Sequence, residues 1–237
     1  MVKKGAADFI ELYIVPGSLD EKDLEIFKSV IVTLHVPHET HDFNIFSLTR
    51  EKINFFNGQV VKTADFLNSP YIVLHAGVDR AGQVAGETVF KEAVAKIYDK
   101  RILVENLAKA AIGGGVCFGH SMQQLRFIKN DCGFDFCFDF AHAAESAAAQ
   151  GIDYREFIVQ TLFEFHPFYF HISGTILKEP FEDAHLNLSE SDLDIKWVKE
   201  KLAELAKEKD IWLVFEVPKV GDNLENDIKN INFFRNL

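Results

Sequence analysis

Six short apolar runs in this chain each stop on a side chain able to bind a divalent metal. Residues 30–34 run into His35, residues 71–74 into His75 and residues 102–104 into Glu105. Residues 136–138 run into Asp139, residues 168–170 into His171 and residues 212–215 into Glu216. A strand buried on both faces of a parallel sheet reads as an unbroken Val/Ile/Leu/Phe run. Strands are accordingly predicted over 9–15, 30–35, 71–75, 102–105, 134–139, 168–171 and 211–216. Amphipathic stretches lie between them, at 48–67, 88–99 and 194–207. The last spaces its apolar residues three and four apart, as a surface helix does. Strands alternating with helices predict a parallel sheet, and this many units predict a barrel or a doubly wound sheet. The strand count is seven, one short of a closed barrel of this type. No repeat, low-complexity tract or Pro/Ser-rich linker divides the chain, so one domain over 1–237 is expected.

In a parallel barrel the reacting side chains sit where the strands end. One polar ending means little, because every strand must end. Six endings drawn only from His, Asp and Glu, which suit hard and borderline metals, predict one shared site.

Composition changes this picture little. At 237 residues the chain suits one α/β domain, since such barrels run to about 250 residues. No stretch approaches the roughly 20 apolar residues of a membrane span. The opening Met1-Val2-Lys3-Lys4 has no apolar segment of secretory type. Cys117, Cys132 and Cys137 form no CxxC pair, and an odd number fits a reducing cytoplasm better than a disulfide framework. Cys137, on a strand, reads as small apolar filler. A formal charge of -11 with six arginines offers no basic face for nucleic acid, although bound cations would add positive charge that this count omits.

Taken in order, the motifs resemble the xylose isomerase-like TIM barrels, which include endonuclease IV and many sugar isomerases and epimerases. Gly5-Ala6-Ala7-Asp8-Phe9-Ile10-Glu11-Leu12 resembles the end of that superfamily's first helix and its second strand. Leu34-His35-Val36-Pro37, Val73-Leu74-His75-Ala76-Gly77 and Val104-Glu105-Asn106 resemble its third, fourth and fifth strands. Phe138-Asp139-Phe140-Ala141-His142 and Phe170-His171-Ile172-Ser173 resemble the sixth and seventh. Asp183-Ala184-His185 resembles the Asp-x-His loop that follows, and Phe215-Glu216-Val217-Pro218 the eighth strand. Two features depart from the pattern. The first strand has no counterpart, and Ser189-Glu190-Ser191 stands where Gly-x-Gly usually follows the loop histidine.

The resemblance implies a (β/α) barrel of seven strands and a divalent-metal enzyme. Isomerases and epimerases of the superfamily hold one ion, and the matching residues here are Glu105, Asp139, His171 and Glu216. Endonuclease IV holds three zinc ions, and its further ligands match His35, His75, His142, Asp183 and His185. Several ions a few ångströms apart can activate a water and clamp both oxygens of an in-line phosphoryl displacement. The residues keep other readings open. His75 and His142 also suit satisfied core histidines, an Asx turn also explains Asp183, and His38 competes with His35. His120 and His166 read as ordinary polar residues. Gly113-Gly114-Gly115 lacks the following Lys-Ser/Thr of a P-loop and reads as a flexible loop over the site. The aromatic run 163–170 reads as core, and 199–209 as the solvated face of a helix.

The leading expectation is a phosphoester hydrolase in which Glu216, Glu105 and Asp139 carry the metal chemistry, with zinc ahead of manganese or magnesium. A small phosphorylated or sugar substrate fits the charge better than DNA. The second is a sugar or sugar-phosphate isomerase or epimerase with one Mn²⁺ or Mg²⁺, in which Glu105 and Glu216 exchange a proton on opposite faces of a carbon. The third is a barrel that binds metal without turnover. An uncovered parallel edge invites association, so the gap left by the first strand is expected to be covered by 231–234 or by a second subunit.

Overall fold

The structure is a computed structural model that describes residues 5, 7–17, 21–80, 86–179, 181, 183–219 and 224–237. The reading of residues 1–4 and of Ala6 lies outside those. Each of the seven apolar runs, rich in β-branched and aromatic side chains, forms a strand. These are β1 (Phe9–Tyr13), β2 (Ile31–His35), β3 (Ile72–His75), β4 (Ile102–Glu105), β5 (Asp135–Asp139), β6 (Tyr169–Ile172) and β7 (Trp212–Phe215). They pair in chain order, every pair parallel. A seven-stranded, nearly closed barrel results, with β1 and β7 as its lips.

Parallel neighbours need helical crossovers, and the polar stretches supply them. In order these are α1 (Glu21–Glu25), α2 (Arg50–Phe55), α3 (Val61–Leu67), α4 (Gly86–Val94), α5 (Met122–Asn130), α6 (Phe140–Ala149), α7 (Tyr154–Phe165), α8 (Ile195–Leu205) and α9 (Glu225–Asn236). The helix expected over 48–67 starts where the Thr49 side chain accepts from Lys52 N–H at 3.3 Å, and a π-helical turn at Phe56–Val60 splits it into α2 and α3. Asp194 caps α8 in the same way through Trp197 N–H at 3.0 Å.

Register brings the polar strand ends to one rim. Tyr13 lies opposite His35, His75 opposite Glu105, and Asp139 opposite His171. Below that rim an aromatic layer fills the barrel: Phe9 meets Trp212 at 4.7 Å between ring centroids, and Tyr71 meets Trp212 at 5.3 Å. Phe9 and Trp212 belong to the two lips, so their side chains meet across the gap although their backbones do not pair.

The lips differ from the strands between them. Residues of β2 to β6 are almost all buried, whereas every residue of β1 and β7 is only half-buried. A cleft of about 750 Å³ separates the lips, lined by Ile10, Leu12, Leu213, Phe215, Leu224 and Ile231 among others. The expectation that 231–234 would cover the gap is corrected. That segment lies inside α9, with Phe234 against Phe215 at 5.4 Å and Ile231 on the cleft wall, so among the described residues it forms one side of the opening and does not fill it. Two further readings change. Phe163, taken as core, is 78% exposed because it falls on the outer face of α7. The triple glycine ends a two-residue ribbon (Val78–Asp79 with Val116–Cys117), and it is pinned rather than loose: the Arg80 guanidinium donates to the carbonyls of Ile112, Gly113 and Gly114 at 3.2, 3.2 and 2.6 Å.

Candidate metal centre

Glu105 ends β4 fully buried beneath the rim, and four histidines converge on its carboxylate. His35 Nε2 and His75 Nε2 lie 3.1 and 3.3 Å from Oε2, and His171 Nδ1 and His142 Nδ1 lie 3.2 and 3.4 Å from Oε1. Strand alternation and barrel curvature explain the convergence: Glu105, His35 and His75 occupy inward positions at the ends of neighbouring strands, and His171 does so on β6, two strands beyond Glu105. His142 reaches the same point from α6. It stands three residues beyond Asp139, so the two share a helix face.

Asp139 is both strand end and helix cap. Its Oδ1 accepts from His142 N–H at 2.6 Å, while its N–H donates to Asn106 Oδ1 at 2.8 Å and its carbonyl accepts from Asn106 Nδ2 at 3.0 Å. The second oxygen, Oδ2, is buried with no hydrogen-bond partner among the described residues. An orphaned carboxylate oxygen of that kind costs about 1–3 kcal/mol or more unless something satisfies it.

The loop after β6 brings the remaining residues. Asp183 Oδ1 lies 3.3 Å from His142 Nε2 and 3.0 Å from His185 Nε2. Reciprocal backbone bonds between Gly174 and Leu186, at 2.9 and 2.8 Å, tie the loop down. A Cβ on Gly174 would stand 2.3 Å from the Asn187 carbonyl oxygen, so only glycine permits that approach. Where Gly-x-Gly was expected, side chains hold the turn: Ser191 Oγ accepts from Thr175 N–H and Leu193 N–H, both at 3.0 Å, and Glu190 Oε2 accepts from the Asn187 amide side chain at 3.0 Å. His185 itself has φ +42°, a left-handed conformation that costs a β-substituted residue on the order of 1–3 kcal/mol and clusters at functional sites.

All nine residues expected at the site therefore come together. They form three groups, within each of which the ligand atoms lie within 4.8 Å of one another: Glu105 with Asp139, His171 and Glu216; His35 with His75 and the same Glu105; and, sharing no residue with these, His142 with Asp183 and His185. The geometry separates His35 from its rival. His35 faces Glu105, whereas His38 stacks on His75 at 5.2 Å, hydrogen-bonds Thr40 Oγ1 and joins none of the groups. Cys137 lies within reach of Glu105 and His171, yet burial pushes its thiol well above the usual value and leaves it a neutral packing group.

Charge is balanced by protons in the metal-free arrangement. Burial alone would lift the Glu105 carboxyl, but His171, His75 and His142 outweigh it and hold the group well below the carboxylate range. His171 likewise overcomes burial at Glu216 and holds it down to about 2. Asp139 goes the other way: burial lifts it to about 6, with Glu105 and Glu216 adding to the effect against His142. Against the opposing effect of burial, neighbouring carboxylates raise His142 and His171 well above the usual imidazole value, and Asp183 and Glu216 raise His185 to about 10. The imidazoles thus supply, as protons, the positive charge that the carboxylates demand. A divalent cation would supply the same charge while freeing the nitrogens.

The donor set fits metal in a second respect. A ligating histidine anchors its other nitrogen. Here Nδ1 of His35 bonds the Val36 carbonyl at 2.7 Å, Nδ1 of His142 the Asn106 carbonyl at 3.0 Å, and Nδ1 of His185 the Glu216 carbonyl at 3.1 Å. Nε2 of His35 then faces Glu105 and Nε2 of His142 and of His185 faces Asp183, while His142 Nδ1 also stands 3.4 Å from Glu105 Oε1. One residue of this neighbourhood was missed from the sequence. Glu11, inward on β1, joins a further group with His35, His171 and Glu216. Its signal was there in the alternation Phe9-Glu11-Tyr13, which turns a carboxylate inward between two aromatic rings.

No family model matches the chain, and no curated protein matches it in sequence. Solved structures match its fold. A D-tagatose 3-epimerase-like protein gives a TM-score of 0.73 at 18% identity, covering 97% of this chain and 87% of that one. A family 2 AP endonuclease from Brucella melitensis gives 0.67 at 14% identity, covering 99% and 90%. The 3-keto-D-glucoside 4-epimerase of E. coli gives 0.61 at 11% identity, covering 98% and 100%. No helix among the described residues is long and apolar enough to cross a membrane. With its parallel strands in chain order and its polar strand ends on one rim, the chain has the fold of the xylose isomerase-like TIM barrels, here with seven strands.

Proposed function

We propose that this protein is a divalent-metal-dependent phosphoester hydrolase, with zinc the best fit to its mixed imidazole and carboxylate donors. One observation carries the reading. His142, Asp183 and His185 form a group of their own, beyond the four residues sufficient for a single ion. A one-ion isomerase does not need that group, or His35 and His75, as metal ligands. The cations would polarise the phosphoryl oxygens and make a bound water nucleophilic near neutral pH.

The chain's own residues divide by depth. Glu105, Asp139 and His171 form the buried floor and hold charge in place. Glu216 and Asp183, whose side chains are 20% and 23% exposed, face the opening. Glu216 is the carboxylate able to orient a water toward the substrate, and its low pKa keeps it ionised for that task. The formal charge of -11 favours a small phosphorylated substrate over DNA.

A second reading, a one-ion sugar or sugar-phosphate isomerase or epimerase, draws on a different observation: the group Glu105, Asp139, His171 and Glu216 is complete by itself. It gains support from the epimerases among the structural neighbours, which reach a TM-score of 0.73. Elemental analysis of the metal-replete protein separates the readings. More than one ion per chain is expected; a single ion favours isomerisation, and none leaves a barrel without metal chemistry. The assay pairs phosphodiesters and phosphomonoesters with ketoses and ketose phosphates, each with Zn²⁺, Mn²⁺ and Mg²⁺.

The partner proposed for the open edge is a second copy of this chain. Ile26 and Leu224 line the cleft at 68% and 48% exposure, and two half-buried parallel lips beside them form the kind of unprotected edge that associates. Sedimentation at micromolar concentration should report a dimer, and a monomer with the cleft facing water refutes the pairing.

A further inference from the structure

His171 is held differently from the other site histidines. Where His35, His142 and His185 anchor Nδ1 on a backbone carbonyl, His171 turns Nδ1 toward the cluster, 3.2 Å from Glu105 Oε1 and 3.3 Å from Glu216 Oε2. Its Nε2 faces a carboxylate, Glu11 Oε2, at 3.3 Å. The same Glu11 oxygen accepts from the Tyr169 hydroxyl at 2.7 Å, and that hydroxyl lies 2.7 Å from Thr33 Oγ1. The Glu11 side chain is 7% exposed. A buried carboxylate stays in place only where donors hold it, and here the donors are Tyr169 and His171.

We propose that Glu11 is a positioning residue for the metal centre: its carboxylate accepts a hydrogen bond from Nε2–H of His171 and thereby fixes the tautomer whose Nδ1 lone pair is left to bind a cation. A carboxylate does more in this role than a carbonyl does. It makes the imidazole a stronger donor and resists rotation of the ring. The Thr33–Tyr169–Glu11–His171 chain joins β2, β6 and β1, so the lip strand reaches His171 through the Glu11 carboxylate. The inference rests on the reading of the cluster as a metal centre, and its test keeps the two apart.

Zn²⁺ is titrated into the chelator-treated full chain by calorimetry, for the wild type and for Glu11→Gln and Glu11→Leu. The expected order of affinity is wild type, then Gln, then Leu, with the loss reaching about 10- to 100-fold and the stoichiometry at saturation unchanged. The amide oxygen of Gln still accepts a hydrogen bond, so a partial retention of affinity marks the hydrogen bond itself. A wild type that binds no Zn²⁺ overturns the metal centre, and the Glu11 role with it. Wild-type binding with unaltered variants overturns the Glu11 role alone. A variant that saturates with one ion fewer makes Glu11 a ligand and also overturns it. Nitrogen NMR of the zinc-loaded wild type decides the matter even if the variants fail to fold: His171 should show a protonated Nε2 and a metal-bound Nδ1, and the opposite tautomer overturns the proposal.

Discussion

Glu105→Gln should remove turnover by about 1,000-fold or more and strip the protein of most of its metal. The carboxylate stands within 3.1 to 3.4 Å of nitrogens from four histidines, and it belongs to two of the three proposed ligand groups. Glutamine keeps the volume and one acceptor oxygen, but it loses the charge that both groups share. In the metal-free protein His35, His142 and His171 then lack their common counter-charge. Removing one partner of a buried ion pair typically costs on the order of 3 kcal/mol, although imidazoles that shed their protons soften that loss. The checks are elemental analysis, denaturant melts of the chelator-treated protein, and the substrate panel. A glutamine variant with wild-type metal content would show that Glu105 does not bridge the cluster.

His185→Ala should lower phosphodiester hydrolysis by about 100-fold or more, because it takes away a nitrogen of the group with His142 and Asp183. The fold should survive, since the side chain is 37% exposed and packs at the opening. Its left-handed backbone complicates alanine, which tolerates that conformation less well than glycine. His185→Gly removes this ambiguity: both variants should lose activity alike, with glycine the more stable in thermal melts. If the protein is a one-ion isomerase, His185 lies outside the essential shell, and ketose isomerisation should fall only modestly. Isomerase activity that persists in both variants would replace the hydrolase reading with the second.

The sequence alone determined which residues stand at the strand ends. A parallel strand buried on both faces must be apolar throughout, so the first polar residue after each run marks where the chain leaves the sheet. This is why His35, His75, Glu105, Asp139, His171 and Glu216 were legible, each within the predicted strand bounds by two residues or fewer. Asp183 and His185 were legible only through resemblance, because a loop carries no periodicity that would set them beside His142.

What tertiary structure decided was everything that depends on closure. His35 prevails over His38 because register with β1 and β3 turns His35 inward, while three residues later the chain has left the sheet. The helix over 48–67 breaks at a π-turn that its apolar spacing does not announce. Glu11 is the clearest case. Its own strand says only that a polar residue alternates with Phe9 and Tyr13. Whether that carboxylate meets water or the far nitrogen of His171 depends on β6 and β7 curving round to face β1, a distance no local pattern encodes. The gap follows the same logic: the count of seven strands was visible in the chain, but that α9 walls the cleft without filling it emerges only when all the elements are packed.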